Sequence, residues 1–118
     1  MHLSEVTFEG VTPIDGYGPG FFRIGGELFK GAVIANGATV TPWGGLDDPA
    51  PLMTLVGQVD VLFVGMGNEI AHLPADLRAQ LEEAGLGVEV MASPAAARTY
   101  NVLLSEGRRV AAALLPTA

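Results

Sequence analysis

The segment Val59-Asp60-Val61-Leu62-Phe63-Val64-Gly65-Met66-Gly67 decides the fold of this chain. Residues 59 to 64 form a run rich in β-branched side chains, and the run ends at a glycine. Such a run is typical of a strand buried on both faces of its sheet, because a half-exposed strand would alternate apolar and polar residues. We therefore expect a buried strand here, with other elements covering both of its faces.

Helices and strands alternate on the C-terminal side of this strand. Leu77 and Leu81 share one helical face, and Gly85 can end that helix. Ser93 and Pro94 are predicted to be the N-cap and the first-turn proline of a second helix. The predicted elements are strand 59–64, helix 74–84, strand 88–91, helix 94–106 and strand 108–115. This order, with short joints, predicts parallel pairing and right-handed crossovers.

The N-terminal third is predicted to consist of short antiparallel strands. Gly25-Gly26 separates two of them, and two glycines can both adopt the positive φ that a two-residue hairpin needs. That register sets Phe22 opposite Phe29 on one face and Arg23 opposite Leu28 on the other. The elements predicted here are strands 3–8, 21–24, 27–30, 31–35 and 39–43, a turn at Asn36-Gly37, a sheet edge at Pro42 and a short helix at 49–57.

The length and the order of these elements predict one α/β domain. A chain of 118 residues fits a single domain over 1–118. Its N-terminal strands occupy about 1–43, and the alternating strands and helices occupy about 59–115. We expect the antiparallel N-terminal section to extend a mixed sheet.

Composition excludes several classes of protein. Hydrophobic residues make up 49% and charged residues 16% of the chain, so it is not intrinsically disordered as a whole. The absence of cysteine excludes disulfide bonds, thiolate metal sites and cysteine nucleophiles. The net charge of −7 argues against binding to nucleic-acid phosphates.

The sequence also predicts a cytoplasmic protein without a membrane span. The longest apolar stretch, Val110 to Leu115, is far shorter than the roughly 20 residues that a span requires. The first residues, Met1-His2-Leu3-Ser4-Glu5, lack the basic region and the apolar run of a signal peptide.

Gly65-Met66-Gly67 follows the buried strand, as the phosphate loop of a dinucleotide-binding protein would. A third glycine should then stand at position 70, which is Ile70, and the next helix begins only near Pro74. Nucleotide binding is therefore disfavoured. Two interpretations stay open: the glycines allow a sharp turn, or they form the floor of a cleft, because ligands gather at the carboxyl ends of strands in open α/β sheets.

No metal, cofactor or catalytic group is expected from the remaining residues. His2 and His72 lie far apart, and neither stands in a metal-ligand spacing. Asp47-Asp48 is more typical of a solvated loop than of a cation site. No general base stands beside a nucleophile, which favours binding over catalysis.

The last predicted helix carries the most informative polar surface. The candidate surface there is Arg98, Thr99, Asn101, Ser105 and Arg108. A guanidinium beside a carboxamide can hold a carboxylate or the backbone of a partner. The alternative is an exposed face on which Arg98 or Arg108 pairs with Glu106. Because Arg108 and Arg109 are adjacent in a strand, only one of them can join the Arg98 surface.

Three strings of the sequence are similar to a known family: Tyr17-Gly18-Pro19-Gly20-Phe21-Phe22-Arg23-Ile24, Gly65-Met66-Gly67, and Arg98-Thr99-Tyr100-Asn101 through Glu106-Gly107-Arg108-Arg109. In this order, with Trp43 between, the chain resembles small uncharacterised bacterial and archaeal proteins whose family includes a mitochondrial complex I assembly factor. The resemblance covers nearly the whole length and implies a three-layer β/β/α domain with a mixed sheet. It also implies assembly or chaperone-like work on respiratory complex I in the mitochondrial members, and it carries over no catalytic residue.

Two functions stand as hypotheses. The first is a non-catalytic binding or assembly module with a protein partner. The second is a small anionic-ligand-binding protein or enzyme that uses a cleft near Gly65-Met66-Gly67, Trp43 and Arg98.

Overall fold

A computed structural model describes residues 10–118, and the strand predicted at 3–8 lies outside the described residues. The elements are β1 (Ile14–Gly18), β2 (Phe21–Ile24), β3 (Glu27–Lys30), β4 (Val33–Asn36), β5 (Thr39–Pro42), α1 (Ala50–Met53), β6 (Val61–Met66), α2 (Ala75–Glu83), β7 (Gly87–Met91), α3 (Ser93–Ser105) and β8 (Val110–Leu115). The predicted helix at 49–57 is shorter than expected, because only 50–53 are helical.

The large sheet has five strands in the order β5-β4-β8-β6-β7. The β6 strand lies between β8 and β7 and is parallel to both, which confirms the expected parallel pairing. The β4 strand is antiparallel to β8 and to β5, so the sheet is mixed and Pro42 lies on an edge strand as predicted. An edge strand tolerates proline because the missing N–H is not needed for the ladder.

A separate three-stranded sheet, β1-β2-β3, is formed by the predicted hairpin and the strand before it. Phe22 pairs with Phe29, and Arg23 pairs with Leu28, as the sequence predicts. Gly25 and Gly26 have φ of 61° and 82°, the geometry that a two-residue hairpin turn requires. The expectation that the whole N-terminal section extends the mixed sheet is therefore correct only for β4 and β5.

The small sheet stacks on one face of the large sheet because its inner side chains are apolar. Phe22 and Ile24 are fully or almost fully buried there. One hydrophobic cluster includes Ile14, Phe22 and Ile24 of the small sheet, Val33, Ala35, Phe63, Val110, Ala112 and Leu114 of the large sheet, and Ala96, Ala97, Tyr100 and Leu104 of α3. The small sheet and α3 thus share one face of the large sheet.

The opposite face of the large sheet packs against α1 and α2. The alternate residues of the same strands, together with Trp43 and the helix residues, form a second hydrophobic cluster of Ile34, Trp43, Leu52, Leu55, Val59, Leu62, Val64, Leu73, Leu77, Leu81, Leu86, Val88, Ala111 and Ala113. Both faces of β6 are therefore covered, and the α/β fold with stacked β, β and α layers is confirmed. Among residues 10–118, no helix combines the length and apolar character that crossing a membrane would take.

Both longer helices end at a glycine in the left-handed region. Gly85 has φ 97° and follows α2, and Gly107 has φ 79° and follows α3. The N–H groups of Gly107 and Arg108 donate to the carbonyl oxygens of Leu104 and Leu103 at 3.1 and 3.0 Å, so the last turn of α3 is closed. The two predicted helix ends are confirmed.

Candidate binding surface

Gly65, near the end of β6, and Gly67, just after it, are both in contact with the first residue of α3. A Cβ atom on Gly65 would lie 2.6 Å from Ser93 Oγ and 2.7 Å from Ser93 Cα, so only glycine fits under this helix. The Ser93 hydroxyl accepts a hydrogen bond from Gly67 N at 2.9 Å and donates one to Leu115 O at 2.6 Å. The glycines therefore allow α3 to approach the ends of β6 and β8.

Ser93 is the first residue of α3, with Ala92 at the N-cap position and no side-chain cap. The prediction that Ser93 caps this helix is therefore wrong. Its hydroxyl is fully buried and joins the ends of two strands instead, because the helix enters between them. In the sequence these partners are 26 and 22 residues away, so the local capping pattern could not reveal them.

Trp43 lies on the other face of the large sheet. The residue is 5% exposed within the cluster that contains residues of α1 and α2, and its Nε1–H donates to Asp48 O at 2.9 Å. Arg98 belongs to α3, which packs against the opposite face. The structure therefore does not bring together Gly65, Trp43 and Arg98, the three parts of the predicted cleft.

Asn101 holds the small sheet against α3. Its Nδ2 donates to Ile14 O at 2.8 Å, and its Oδ1 accepts from Ile14 N at 2.8 Å. This amide therefore completes the backbone hydrogen bonding of β1. The sequence places Asn101 on a polar surface of the last helix, and in the structure its side-chain amide is bonded to the backbone of β1.

The other residues of the candidate surface are more accessible. Arg98 is exposed, and Val102, one turn further along α3, is 51% exposed. The Thr99 hydroxyl lies 3.9 Å from Met91 Sδ, and the Ser105 hydroxyl donates to Val102 O at 2.6 Å. The polar atoms of these two residues are thus used within the protein.

Arg108 and Arg109, the two arginines after α3, differ in their contacts. Arg109 Nη2 lies 3.1 Å from Asp60 Oδ1 and forms an exposed salt bridge there. Arg108 is also exposed, and it forms no ion pair with any carboxylate of the described residues. The predicted pairing of Arg98 or Arg108 with Glu106 is therefore absent from residues 10–118.

Tyr100 fastens α3 to the turn between β4 and β5. Its side chain is fully buried, and its hydroxyl oxygen accepts a hydrogen bond from Gly37 N at 2.9 Å. Burial raises the pKa of Tyr100 to about 12, and the hydrogen bond from Gly37 opposes that rise only in part. The residue therefore positions the helix and stays protonated at neutral pH.

Sequence reasoning missed an exposed patch on the small sheet. Phe21 pairs with Lys30, and Arg23 pairs with Leu28, so these four side chains lie on the face opposite to buried Phe22. We call these four residues, Phe21, Arg23, Leu28 and Lys30, the outer sheet face. The predicted hairpin register already contained the signal, because it set Arg23 opposite Leu28 on the face away from the aromatic pair.

Two grooves lie elsewhere on the surface. One of about 510 Å³ is lined by residues of β3 and β5, among them Glu27, Phe29 and Thr41. The other, of about 500 Å³, is lined by residues 70–73 together with Arg78 and Val90. Neither groove contains a residue of the candidate surface, and residues 10–118 contain no cluster of side chains that could hold a metal ion.

Comparison with known proteins confirms the family resemblance. The chain is 56% identical to an uncharacterized protein of Rhodobacter capsulatus over 98% of this chain and 94% of the relative. It is 31% identical to the NADH dehydrogenase [ubiquinone] 1 alpha subcomplex assembly factor 3 of Danio rerio over 89% of this chain, and it spans only 64% of that relative.

A solved structure and a family description agree with this relationship. The crystal structure of an outer membrane protein from Bartonella henselae superposes with a TM-score of 0.82 at 35% identity, and the match covers 95% of this chain and 100% of that one. The family model for proteins of unknown function DUF498/DUF598 matches residues 14–115 of this chain. That range includes every described strand and helix, so the chain belongs to the DUF498/DUF598 family.

Proposed function

We propose that this protein is a non-catalytic binding module that acts in the assembly of a respiratory NADH dehydrogenase of the complex I type. The observation that carries the proposal is the 31% identity to assembly factor 3 of Danio rerio across 89% of this chain. The alignment covers 89% of this chain, so a common binding surface is the simplest source of a common role. The cytoplasmic location is part of the proposal.

The distribution of charge supports a protein partner on the α3 side of the large sheet. Arg78 pairs with Glu82 on α2, and Arg109 pairs with Asp60. The four remaining basic residues form no ion pair with a carboxylate of residues 10–118 and are exposed on the small sheet, on α3 and just after α3: Arg23, Lys30, Arg98 and Arg108. Exposed cations without partners favour an acidic surface on the other protein.

The rival function, an anion-binding protein or enzyme, would use Arg98 together with Trp43 and the glycine loop. Those groups lie on different faces of the large sheet, and the glycine loop is filled by Ser93. These positions argue against one cleft that is shared by all three groups. The binding module is therefore the function that the geometry supports better.

Deletion of the gene in its source strain tests the proposal. We expect less assembled NADH dehydrogenase on native gels of the membranes and slower NADH oxidation, both restored by the wild-type chain on a plasmid. Succinate oxidation by the same membranes is the control for general loss of respiration. Unchanged assembly and unchanged NADH oxidation in the deletion strain would contradict the proposed function. Cell fractionation with an antibody against the chain tests the cytoplasmic location.

A further inference from the structure

The outer sheet face combines apolar and basic side chains on one side of the small sheet. The cross-strand pairs are Phe21–Lys30 and Arg23–Leu28, so each pair joins one cation and one apolar residue. The two cations therefore lie on one diagonal of the patch, and the two apolar residues lie on the other. Leu28 is 46% exposed, and both cations are exposed. The opposite side of the same strands holds Phe22 and Ile24 in the core, so the direction of these side chains is fixed by packing.

The aromatic ring of Phe21 extends this face onto β1. A Cβ atom on Gly18 would collide with the Phe21 ring, so the ring occupies the space beside the backbone of the neighbouring strand. Gly18 pairs directly with Phe21, and Gly16 pairs with Arg23, so β1 adds no side chain of its own beside them. The two glycines therefore leave the Phe21 and Arg23 side chains without a cross-strand side chain from β1.

The charge of this face is opposite to that of the rest of the chain. Residues 1–91 contain twelve acidic and three basic residues, and two of these three bases are Arg23 and Lys30. Two described acids of the small sheet have other surroundings: Asp15 Oδ2 accepts a hydrogen bond from Gly26 N at the hairpin turn, and Glu27, paired with Ile24, lines a groove with Phe29. Neither cation forms an ion pair with a described carboxylate.

We propose that the outer sheet face is the docking surface for an acidic segment of a protein partner that also carries apolar side chains. The carboxylates of the segment pair with Arg23 and Lys30, and its apolar side chains cover Phe21 and Leu28. Charge complementarity favours this occupant, because its carboxylates are attracted to Arg23 and Lys30. A second copy of the chain and an anionic bilayer are less favourable occupants, because the net charge of −7 on this chain repels both. The inference rests on the proposed function, since it names the surface that the assembly role would use.

Lys30 makes the proposal directly testable, because it is the single lysine of the chain. A water-soluble carbodiimide joins a lysine amine to a carboxylate that is in contact with it. We would treat the full chain in a lysate of the source strain with carbodiimide and locate the joined peptides by mass spectrometry. The expected product joins Lys30 to an aspartate or glutamate of an identified second protein.

Two variants and a matched control decide whether the face itself binds. We call the cross-link between Lys30 and a second protein the Lys30 product. Leu28→Asp and Arg23→Gln should each reduce the yield of this product by about tenfold or more, because each removes a contact from the same patch. Ile70→Asp introduces the same charge at an isoleucine that is 78% exposed in the loop between β6 and α2, and it should leave the product unchanged. Thermal unfolding of all three variants checks that they fold.

Three results would overturn the inference. The first is a Lys30 product whose yield does not change in folded Leu28→Asp. The second is a product that joins Lys30 to a carboxylate of another copy, seen by mixing isotopically labelled and unlabelled chains. The third is co-sedimentation with vesicles of phosphatidylcholine and phosphatidylglycerol that depends on Leu28, with no protein product at Lys30.

Complementation of the deletion strain distinguishes failure of the docking surface from failure of the proposed assembly function. If Leu28→Asp restores NADH dehydrogenase assembly in the deletion strain as well as the wild-type chain does, the outer sheet face is not the docking surface, although the assembly role stands. If deletion has no effect on assembly but the Lys30 product forms as expected, the surface binds a partner of another pathway and the proposed function fails.

Discussion

The side-chain amide of Asn101 on α3 and the backbone of Ile14 on β1 form two hydrogen bonds, both 2.8 Å long. The two residues are 87 positions apart in sequence, and the pair fastens the small sheet to the helix beside it. A second fastening lies at the chain end, where Gly20 N donates to Thr117 O at 2.8 Å. These hydrogen bonds connect the small sheet to α3 and to the segment after β8.

Replacement of Asn101 by alanine should destabilise the protein. The change leaves a half-buried N–H and C=O of β1 without partners, which costs about 1–3 kcal/mol in the free energy of unfolding. Urea denaturation followed by circular dichroism measures this. Ser105→Ala is the matched control on the same helix, and it should stay within about 0.5 kcal/mol of the parent. Equal stabilities for the two variants would show that the Asn101 clamp contributes nothing.

Replacement of Gly65 by alanine should also destabilise the protein, because the new methyl group would lie 2.7 Å from the backbone Cα of Ser93. The helix would have to move away from the sheet, at a cost of about 1–3 kcal/mol. Gly16→Ala is the control, since a Cβ there meets nothing within 4 Å. Chemical denaturation of both variants gives the comparison, and a Gly65→Ala protein as stable as Gly16→Ala would contradict the close approach of α3.

Gly107 tests the backbone conformation at the end of α3. Its φ of 79° is unfavourable for an L-residue, although a Cβ would meet no atom within 4 Å. Gly107→Ala should therefore lower the free energy of unfolding by about 1 kcal/mol through backbone strain alone. Gly107→Asn should lower the free energy of unfolding by less than Gly107→Ala does, because asparagine tolerates the left-handed region. A loss that is the same for both variants would point to a cause other than backbone conformation.

The buried phenol of Tyr100 predicts a loss of stability in alkali. Burial raises its pKa to about 12 in the folded protein, whereas an unfolded tyrosine ionises near about 10. The unfolded state therefore releases its proton first, and the free energy of unfolding is unaffected below pH ~10 and falls as the pH rises from about 10 to about 12. Urea titrations at pH 9, 10 and 11 measure the slope.

Tyr100→Phe is the control for this pH dependence. It should unfold more easily at neutral pH, because Gly37 N loses its hydrogen-bond acceptor. It should also show a shallower decrease in stability above pH ~10, since it has no buried phenol to ionise. If parent and variant lose stability in parallel across this range, the ionisation of Tyr100 is not responsible.

Arg108 and Arg109 are adjacent and have the same charge, so they offer a matched pair for testing partner binding. Arg108→Ala, combined with Arg98→Ala, should keep the free energy of unfolding within about 0.5 kcal/mol of the parent, because both side chains are exposed. It should reduce the amount of co-purifying partner measured by quantitative mass spectrometry. The matched double variant, Arg109→Ala combined with Arg98→Ala, should reduce it less, because Arg109 is engaged with Asp60. Full retention of the partner by the variant without Arg98 and Arg108 would exclude these two arginines from the interface.

The sequence by itself determined the local elements. The hairpin at Gly25-Gly26, the buried strand before Gly65 and the glycine ends of α2 and α3 follow from periodicity and backbone preference over a few residues. Parallel pairing of β6 with β7 and β8 also followed, because strands joined by single helices have few alternatives. These features depend on neighbours that are close in sequence.

Only the tertiary structure decided what the polar side chains do. Asn101 and Ser93 stand in patterns typical of a solvated face and of a helix cap, yet one completes β1 and the other joins the ends of β6 and β8. Trp43 and Arg98 are separated by the large sheet itself. The physical reason is the same in each case: a polar group satisfies its hydrogen bonds with whatever packing brings near, and contacts across 22 to 87 residues leave no trace in local periodicity.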